Sequence, residues 1–459
     1  MNGATYAARR RALRETVPDG AILILGSDHA PRNYVDNTYP FRQDSHFLYY
    51  VGVSEPGMAA LLHPDGQETL YGTPERPDDL VWFGPKPGLA EHAETAGMAE
   101  TAALSALSSG LRRLRDRGVA VHYLPPYRGE RTLQLAELLG VHPTEVGGGV
   151  SERLVAAVAV QRSRKSEAEV AEIEEALGVT AEMYSAAMAA TAPGRGESEV
   201  AAALQLAAFA CDRQLAFSPI VSVRGEVLHN TSYANTIRDG DLLLIDSGAE
   251  SGGFYASDIT RTFPVSGRFT SQQREVYQVV LAAQLAAIAK AGPGVTNRQV
   301  HFEAARTIAA GLQDLGLMQG DLEAAVEAGA HALFMPHGIG HMMGLDVHDM
   351  EDLGDVVGYP EGEQRSTQFG LGFLRLAREL EPGFVITVEP GVYFVPALIE
   401  RWRGEGRHAQ FICYDRLEAF AGFGGIRIED DVLITDTGRR VLGPAIPKTV
   451  DELERVLQG

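Results

Sequence analysis

Cysteine is nearly absent from this chain. Its 459 residues hold two, Cys211 and Cys413, with no CxxC pair. A disulfide framework is excluded, and the usage suits a reducing compartment. Positive charge is also short, with 40 Lys and Arg against 61 Asp and Glu, for a formal charge of −21. That balance argues against nucleic acid as a partner, because phosphates demand clustered Lys and Arg. The one dense basic run, Arg9-Arg10-Arg11, falls in an N-terminal helical pattern and reads as a solvated face. No stretch approaches the roughly 20 apolar residues of a membrane span, so no membrane association is expected. The first apolar run, Ala21 to Leu25, is strand-length and bracketed by Gly20 and Gly26. The start has no apolar signal core, and a cytoplasmic location follows as the expectation.

What is present is globular: 45% hydrophobic and 22% charged residues. The length exceeds one ordinary domain, so two are expected. Residues 4–16 read as a helix and AILILG as a strand. FRQDSHFLYYVGV followed by AALLHP reads as a hairpin-like region, its apolar and aromatic runs separated by turn residues. Helices are expected over roughly 91–116 and 130–139, with the strand VAVHYLP between them. This is a compact α/β first domain, residues 1–158. The second domain, residues 159–459, opens on a helix with capping-box spacing at Ser166 and Glu169, and with Val170, Ile173 and Leu177 at helical intervals. Further helices are expected at 197–213, 271–291, 297–315 and 321–331, alternating with strands. FLRLARELEPG reads as a helix stopped by Pro382 and Gly383. No sequence repeat or low-complexity tract is visible.

Four segments of the second domain concentrate the chemistry: LLLIDSGAESGGFYASDITRTF, PHGIGHMMGLDVHD, VITVEPGVY and GGIRIEDDVLIT. Asp246 ends an apolar strand, and Gly248, Gly252 and Gly253 permit a reversal that brings Asp258 opposite it. Alone, Asp246 reads as a strand end and Asp258 as a turn cap; the pair, continued by Thr260 and Thr262, reads as metal ligation. In HGIGH, Gly338 and Gly340 argue for an irregular turn rather than a helix, so one of His337 and His341 need bind metal. His337, His341 and His348 are too closely spaced to be explained by packing alone. Glu389 follows the strand VITV. Strand alternation puts Arg427, Glu429 and Asp431 on one face, where a buried carboxylate requires a cation. Four carboxylates and one imidazole suit two divalent ions of the manganese or zinc type, whose charge they balance. A water shared by two such ions is easily deprotonated, the nucleophile of a metallohydrolase.

These segments resemble those of the pita-bread metallopeptidases, which include methionine aminopeptidase, aminopeptidase P and prolidase. FRQDSHFLYYVGVSEPG and VWFGPKPG, with Trp82, are similar to the N-terminal domain shared by the last two. The resemblance implies an α/β (α+β) fold, with an N-terminal α/β domain and a C-terminal pita-bread domain carrying an internal pseudo-twofold. It implies metal ligation by Asp246, Asp258, His341, Glu389 and Glu429, with Asp258 and Glu429 shared by two ions. Manganese is the expected ion, with zinc or cobalt as alternatives. Glu389 is the implied general acid/base; His229 and His348 would act on substrate or intermediate. His337, Arg375, Arg427 and Tyr393 would shape or support the proline side of the pocket. The implied reaction is hydrolysis of the bond between an N-terminal residue and proline in a di- or oligopeptide. GYPEGEQRSTQFGLGFLRLARELEPG resembles a prolidase loop, in which the arginine matched by Arg375 binds the substrate carboxylate. Dipeptides are therefore the expected substrates, with longer peptides (aminopeptidase P) the alternative. A non-catalytic binding protein is the alternative from another class, set aside because all five ligands are present. The family also implies a homodimer. Two departures stand out: His46, or Asp44 beside it, replaces a first-domain aspartate of some aminopeptidases P, and DMEDLGDVVG after His348 is longer than in prolidase.

Overall fold

The computed structural model describes residues 1–74 and 78–458. Two compact units emerge: Met1–Arg162 with Met350–Val357, and Ser163–Asp349 with Gly358–Gly459.

In the first unit a five-stranded sheet runs in the order Glu100–Ala103, Glu68–Gly72, Ala59–Leu62, Gly20–Leu25, Ala120–His122. Its core takes Leu23, Leu61, Leu111 and Leu135. Several local expectations fail here. The aromatic run SHFLYYV forms a helix, Ser45–Val51, rather than hairpin strands. Asp44 decides this by accepting the Phe47 N–H at 2.9 Å, a side-chain N-cap that outweighs β propensity. The single helix expected over 91–116 is two, Leu89–Ala96 and Leu107–Asp116, around the strand Glu100–Ala103. Gly97, left-handed at φ 66°, ends the first of them. The basic run is not a solvated face. Arg10 is fully buried, pairing with Glu68 at 2.7 Å and donating to the carbonyls of Tyr50, Ala96 and Gly97. Arg9 is also buried, donating to Tyr49 O with its guanidinium 3.9 Å from the Tyr49 ring centroid. Only Arg11 points to solvent. His46 is buried too, its Nε2 2.9 Å from Asp352 Oδ2 and its Nδ1 2.8 Å from Arg162 Nη1. The long DMEDLGDVVG segment thus supplies Asp352 to the first unit.

The second unit rests on two helical hairpins, Glu167–Ala190 with Glu197–Ala210 and Ser271–Lys290 with Asn297–Asp314. Three of these helices start with a capping box, Ser166 with Glu169, Thr270 with Gln273 and Thr296 with Gln299, while at Gly196 only the Glu199 carboxylate reaches back to the N-cap N–H. Small buried residues, among them Ala283, Ala287, Ala304 and Ala305, let the second pair approach closely. Each hairpin is followed by an antiparallel pair of strands carrying candidate ligands. Leu242–Ser247 pairs with Ile259–Pro264, and Val385–Val388 with Asp430–Thr435. Asp246 is the penultimate residue of the first strand of one pair and Glu389 directly follows that of the other, while Asp258 and Glu429 each directly precede the second strand. The pseudo-twofold that the resemblance implies, invisible as a repeat of residues, is therefore present in three dimensions.

Two further expectations are revised. FLRLARELEPG is not an α-helix; only Leu371–Phe373 makes a short 3₁₀ turn. Its amides are committed elsewhere, Ala377 N to Gly358 O at 2.7 Å and Leu380 N to Val295 O at 2.9 Å. GGIRIEDD is not one strand either. It breaks after Arg427, so Glu429 sits between Gly425–Arg427 and Asp430–Thr435 and bridges to Thr260.

Candidate metal centre

The register of the first strand pair sets Thr260 opposite Asp246, with Asp258 one residue before the strand. The turn closes because Gly248 has no Cβ, which would collide with the Ser257 carbonyl. Tyr184 Oη lies 2.9 Å from Ile245 O and 2.5 Å from Ile259 O, tying both strands to the first helix. HGIGH is irregular, as expected, with Gly340 packed against the Thr387 backbone where a side chain has no room. His341 N donates to Thr387 Oγ1 at 3.1 Å, and its Nδ1 lies 3.0 Å from Met342 O. With Nδ1–H donated to that carbonyl, Nε2 carries the lone pair, as a metal ligand must.

Nε2 of His341 faces Asp258 Oδ2 at 3.5 Å and Glu389 Oε1 at 3.8 Å. Ligand atoms of Asp258, His341 and Glu429 all lie within 4.8 Å of one another and are buried. Asp246 and Glu389 are partly buried beside them. One oxygen each of Asp246, Asp258 and Glu429 is buried without a hydrogen-bond donor. Burial and mutual repulsion push the Asp258 and Glu429 carboxyls well above the usual range. Glu389 is raised to about 7, by burial first, with Arg427 opposing and Asp246 adding. Carboxylates crowded and desolvated this way need cations. The donor set, four carboxylates and an imidazole with orphaned oxygens, fits divalent ions.

Around this cluster a hydrogen-bond frame fixes orientation. Thr260 Oγ1 donates to Glu429 Oε2 at 2.7 Å, leaving Oε1 as the orphaned oxygen. Arg427 donates to Asp246 Oδ2 at 2.5 Å, Thr260 Oγ1 at 3.1 Å and Tyr393 Oη at 3.0 Å. Tyr393 Oη in turn lies 3.0 Å from His337 Nε2, while His337 Nδ1 meets Gly338 O at 2.7 Å. Burial and the nearby Arg427 charge push His337 down to about 4, so it is neutral and accepts the tyrosine proton. Asp431, also fully buried, accepts the Asp258 N–H at 3.2 Å.

All of these groups open onto one cavity of about 530 Å³. Asp246, Asp258, His341, Glu389 and Glu429 line it, as do His229, His337, His348, Arg375 and Arg427. Thr260, Tyr393 and Asp431 are the exceptions, fully buried behind the wall. His229 is open to solvent, and the His348 ring lies against that of His341, centroids 4.2 Å apart and planes tilted by 59°. Arg375 is held by its backbone: Tyr359 Oη donates to Leu374 O at 2.6 Å, and Gly358 packs against the Arg375 carbonyl. Sequence reasoning missed the apolar wall of Phe217, Ile220, Leu228, Phe369 and Phe373. Phe373 opens the stretch FLRLARELEPG read as a helix, and Phe369 lies just before it.

The chain belongs to metallopeptidase family M24, whose sequence profile matches residues 171–436, and residues 6–122 match the aminopeptidase P N-terminal domain. Among its relatives, the Xaa-Pro dipeptidase of Homo sapiens is 33% identical, over 99% of this chain and 94% of that protein. The Xaa-Pro aminopeptidase of Haemophilus influenzae is 32% identical, over 98% of this chain and 96% of its own length. Of solved structures, the Pseudomonas aeruginosa aminopeptidase PepP superposes with a TM-score of 0.83 at 30% identity, covering 100% of this chain and 98% of that one. Zinc-substituted Escherichia coli aminopeptidase P in complex with product gives 0.81 at 29% identity, with the same coverage. The mixed fold, the family and the metallopeptidase assignment expected from sequence are thereby shown.

Proposed function

We propose that this chain is a dinuclear-metal peptidase that hydrolyses the bond between an N-terminal residue and proline, with Xaa-Pro dipeptides as its preferred substrates. The observation that carries the reading is the buried Asp258–His341–Glu429 cluster opening onto a cavity whose wall includes Arg375. In this reading Asp246, Asp258, His341, Glu389 and Glu429 would together hold the two ions. Manganese is the proposed ion, with zinc and cobalt tolerated by the same donors. When bound, the pair supplies Lewis-acid polarisation of the scissile carbonyl and activates water.

The remaining work falls to side chains. Glu389 carries the proton to the leaving proline nitrogen, which belongs to a tertiary amide without an N–H. His229 and His348 donate to the substrate oxygen as it gains charge. Arg375 pairs with the free carboxylate of a dipeptide, which lies one residue from the scissile bond. Arg427 holds Asp246 and Thr260, and Tyr393 passes that order to His337, which walls the proline side. A homodimer is proposed as well, supported by the solvent-open run of Leu80, Val81, Trp82 and Phe83. A cytoplasmic location is part of the proposal; among the described residues no helix is long and apolar enough to cross a membrane.

The second reading, an aminopeptidase P acting on longer peptides, is favoured by the similarity to Xaa-Pro aminopeptidases in sequence and in fold. Rates on an Xaa-Pro dipeptide and an Xaa-Pro-Yaa tripeptide, after reconstitution with manganese, separate the two. Strong dipeptide preference supports the first reading; equal or faster tripeptide cleavage transfers the proposal to the second. No cleavage of either with metal bound removes both.

A further inference from the structure

The two helical hairpins share more than their shape. TAPGRGESEV and AGPGVTNRQV form their turns, and each turn pairs with the chain running into a ligand strand. Gly194 N donates to Ile237 O at 2.8 Å, and Gly294 N to Leu380 O at 3.1 Å. Ile237 N returns to Arg195 O at 2.8 Å, and Leu380 N to Val295 O at 2.9 Å. Glu197 N donates to Asn235 O at 3.0 Å, and Asn297 N to Arg378 O at 2.9 Å. The bridges Gly196–Thr236 and Thr296–Glu379 complete the correspondence. Asp246 follows Ile237, and Glu389 follows Leu380, at the same spacing.

Glu197 and Asn297 occupy equivalent positions, the first residue of the second helix, and both are fully buried. Packing does not ask for a polar side chain there, since a buried polar group without partners costs about 1–3 kcal/mol. Each instead reaches a loop. Glu197 Oε1 accepts the Val223 N–H at 2.8 Å, and Oε2 accepts the Asn235 N–H at 3.1 Å. Asn235 Nδ2 adds bonds of 3.1 and 3.0 Å to the same carboxyl group. One carboxyl group thus closes the base of the loop 223–235, whose tip brings Leu228, His229 and Thr231 to the cavity. Asn297 Nδ2 donates to Leu376 O at 3.1 Å, gripping the backbone beside Arg375.

We infer that Glu197 and Asn297 are a pseudo-symmetric pair of positioning residues, Glu197 setting His229 and Asn297 setting Arg375 in the substrate cavity. Neither touches substrate; each acts through the loop it holds. The inference rests on the proposed roles of His229 and Arg375, and adds a residue responsible for the placement of each. It also divides the labour between the halves of the fold. The first clamp governs a group at the reacting carbonyl, and the second a group at the far end of the substrate.

The test combines amide hydrogen exchange with kinetics on an Xaa-Pro dipeptide, using manganese-loaded full-length protein. Glu197→Ala is expected to speed exchange in 223–235 and leave 374–380 at its native rate, with Asn297→Ala doing the reverse. Both variants keep the native metal content. Misplacing a substrate group by an ångström costs on the order of 100-fold. Glu197→Ala is expected to lower kcat by about that factor, whereas Asn297→Ala raises KM by about 10-fold or more. Combining Glu197→Ala with His229→Ala, or Asn297→Ala with Arg375→Ala, adds no further loss if the clamp acts through that residue. Glu197→Gln keeps one acceptor oxygen and is expected to recover part of the rate; it also serves if the alanine variant fails to fold. Unchanged exchange in the clamped loop overturns the inference, as do losses that multiply in the double variants. If His229→Ala and Arg375→Ala are themselves inert, the proposed substrate roles fail. The exchange pattern then still decides whether the clamps exist.

Discussion

Thr260→Val removes a single hydroxyl from the frame around the metal cluster. Thr260 is fully buried, and valine matches its shape and strand preference, so no cavity and no backbone change are introduced. Two bonds disappear: the donation to Glu429 Oε2 at 2.7 Å and the acceptance from Arg427 Nε at 3.1 Å. Each involves a charged partner, and such bonds contribute about 1.5–3 kcal/mol. Both partners remain buried, and Arg427 keeps its bonds to Asp246 and Tyr393, so a combined loss of roughly 2–4 kcal/mol is expected. Glu429 becomes free to turn its orphaned oxygen away from its place opposite Asp258 and His341. Loss of a partner behind a ligand typically weakens metal affinity by about 10–100-fold. Competition with a fluorescent chelator measures that affinity directly. Thr260→Ser, which keeps the hydroxyl and loses only a methyl group, is expected to stay within a few-fold of the native value. Native affinity in Thr260→Val would refute the claim that this hydroxyl orients Glu429.

Three further outcomes follow from the same geometry. Asp258→Ala and Glu429→Ala are each expected to lose bound metal and abolish hydrolysis; a variant keeping native metal content and rate would remove that residue from the ligand set. Arg375→Ala is expected to lower kcat/KM on dipeptides by about 1.5–3 kcal/mol, the worth of a hydrogen bond to a charged group, and an unchanged value would exclude it from carboxylate binding. His301 and His331 lie outside the metal cluster, and burial pushes them down to about 3 and about 4. Both are neutral when folded and take up protons on unfolding below their ordinary value near 6.5. Their contribution to stability is therefore full above pH 6.5 and is lost as pH falls through about 4 and about 3. Denaturation curves of His301→Phe between pH 7 and 4 are expected to fall less steeply than those of the native chain, and parallel curves would contradict this.

The carboxylates that cluster with His341 drew notice in the sequence because Asp246 and Glu389 stand at or just past the ends of the apolar runs LLLI and VITV. A carboxylate there is hard to explain by packing. The clamps were not legible, since Glu197 and Asn297 differ in chemistry, and the two turns share little beyond a Pro-Gly pair and a following valine. Arg10 was misread because its partners, Glu68 and the carbonyls of Tyr50, Ala96 and Gly97, lie far along the chain. A local window shows three arginines and no reason to bury one. Residues 374–380 were misread for the opposite reason. Their helix propensity is real, but Asn297, Gly358 and Val295 take the backbone groups that a helix would need. In each case a distant backbone contact overrode a local preference, and at Arg375 that contact is what brings the side chain to the cavity.

The most direct test of the central claim is a count of metal ions. Protein reconstituted with manganese and freed of excess by gel filtration can be analysed by mass spectrometry for metal per chain, beside Glu429→Ala. Two ions per native chain, with loss in the variant, is the expected result. One ion or none in the native chain, or two retained in Glu429→Ala, would contradict the assignment of these five residues as a dinuclear centre.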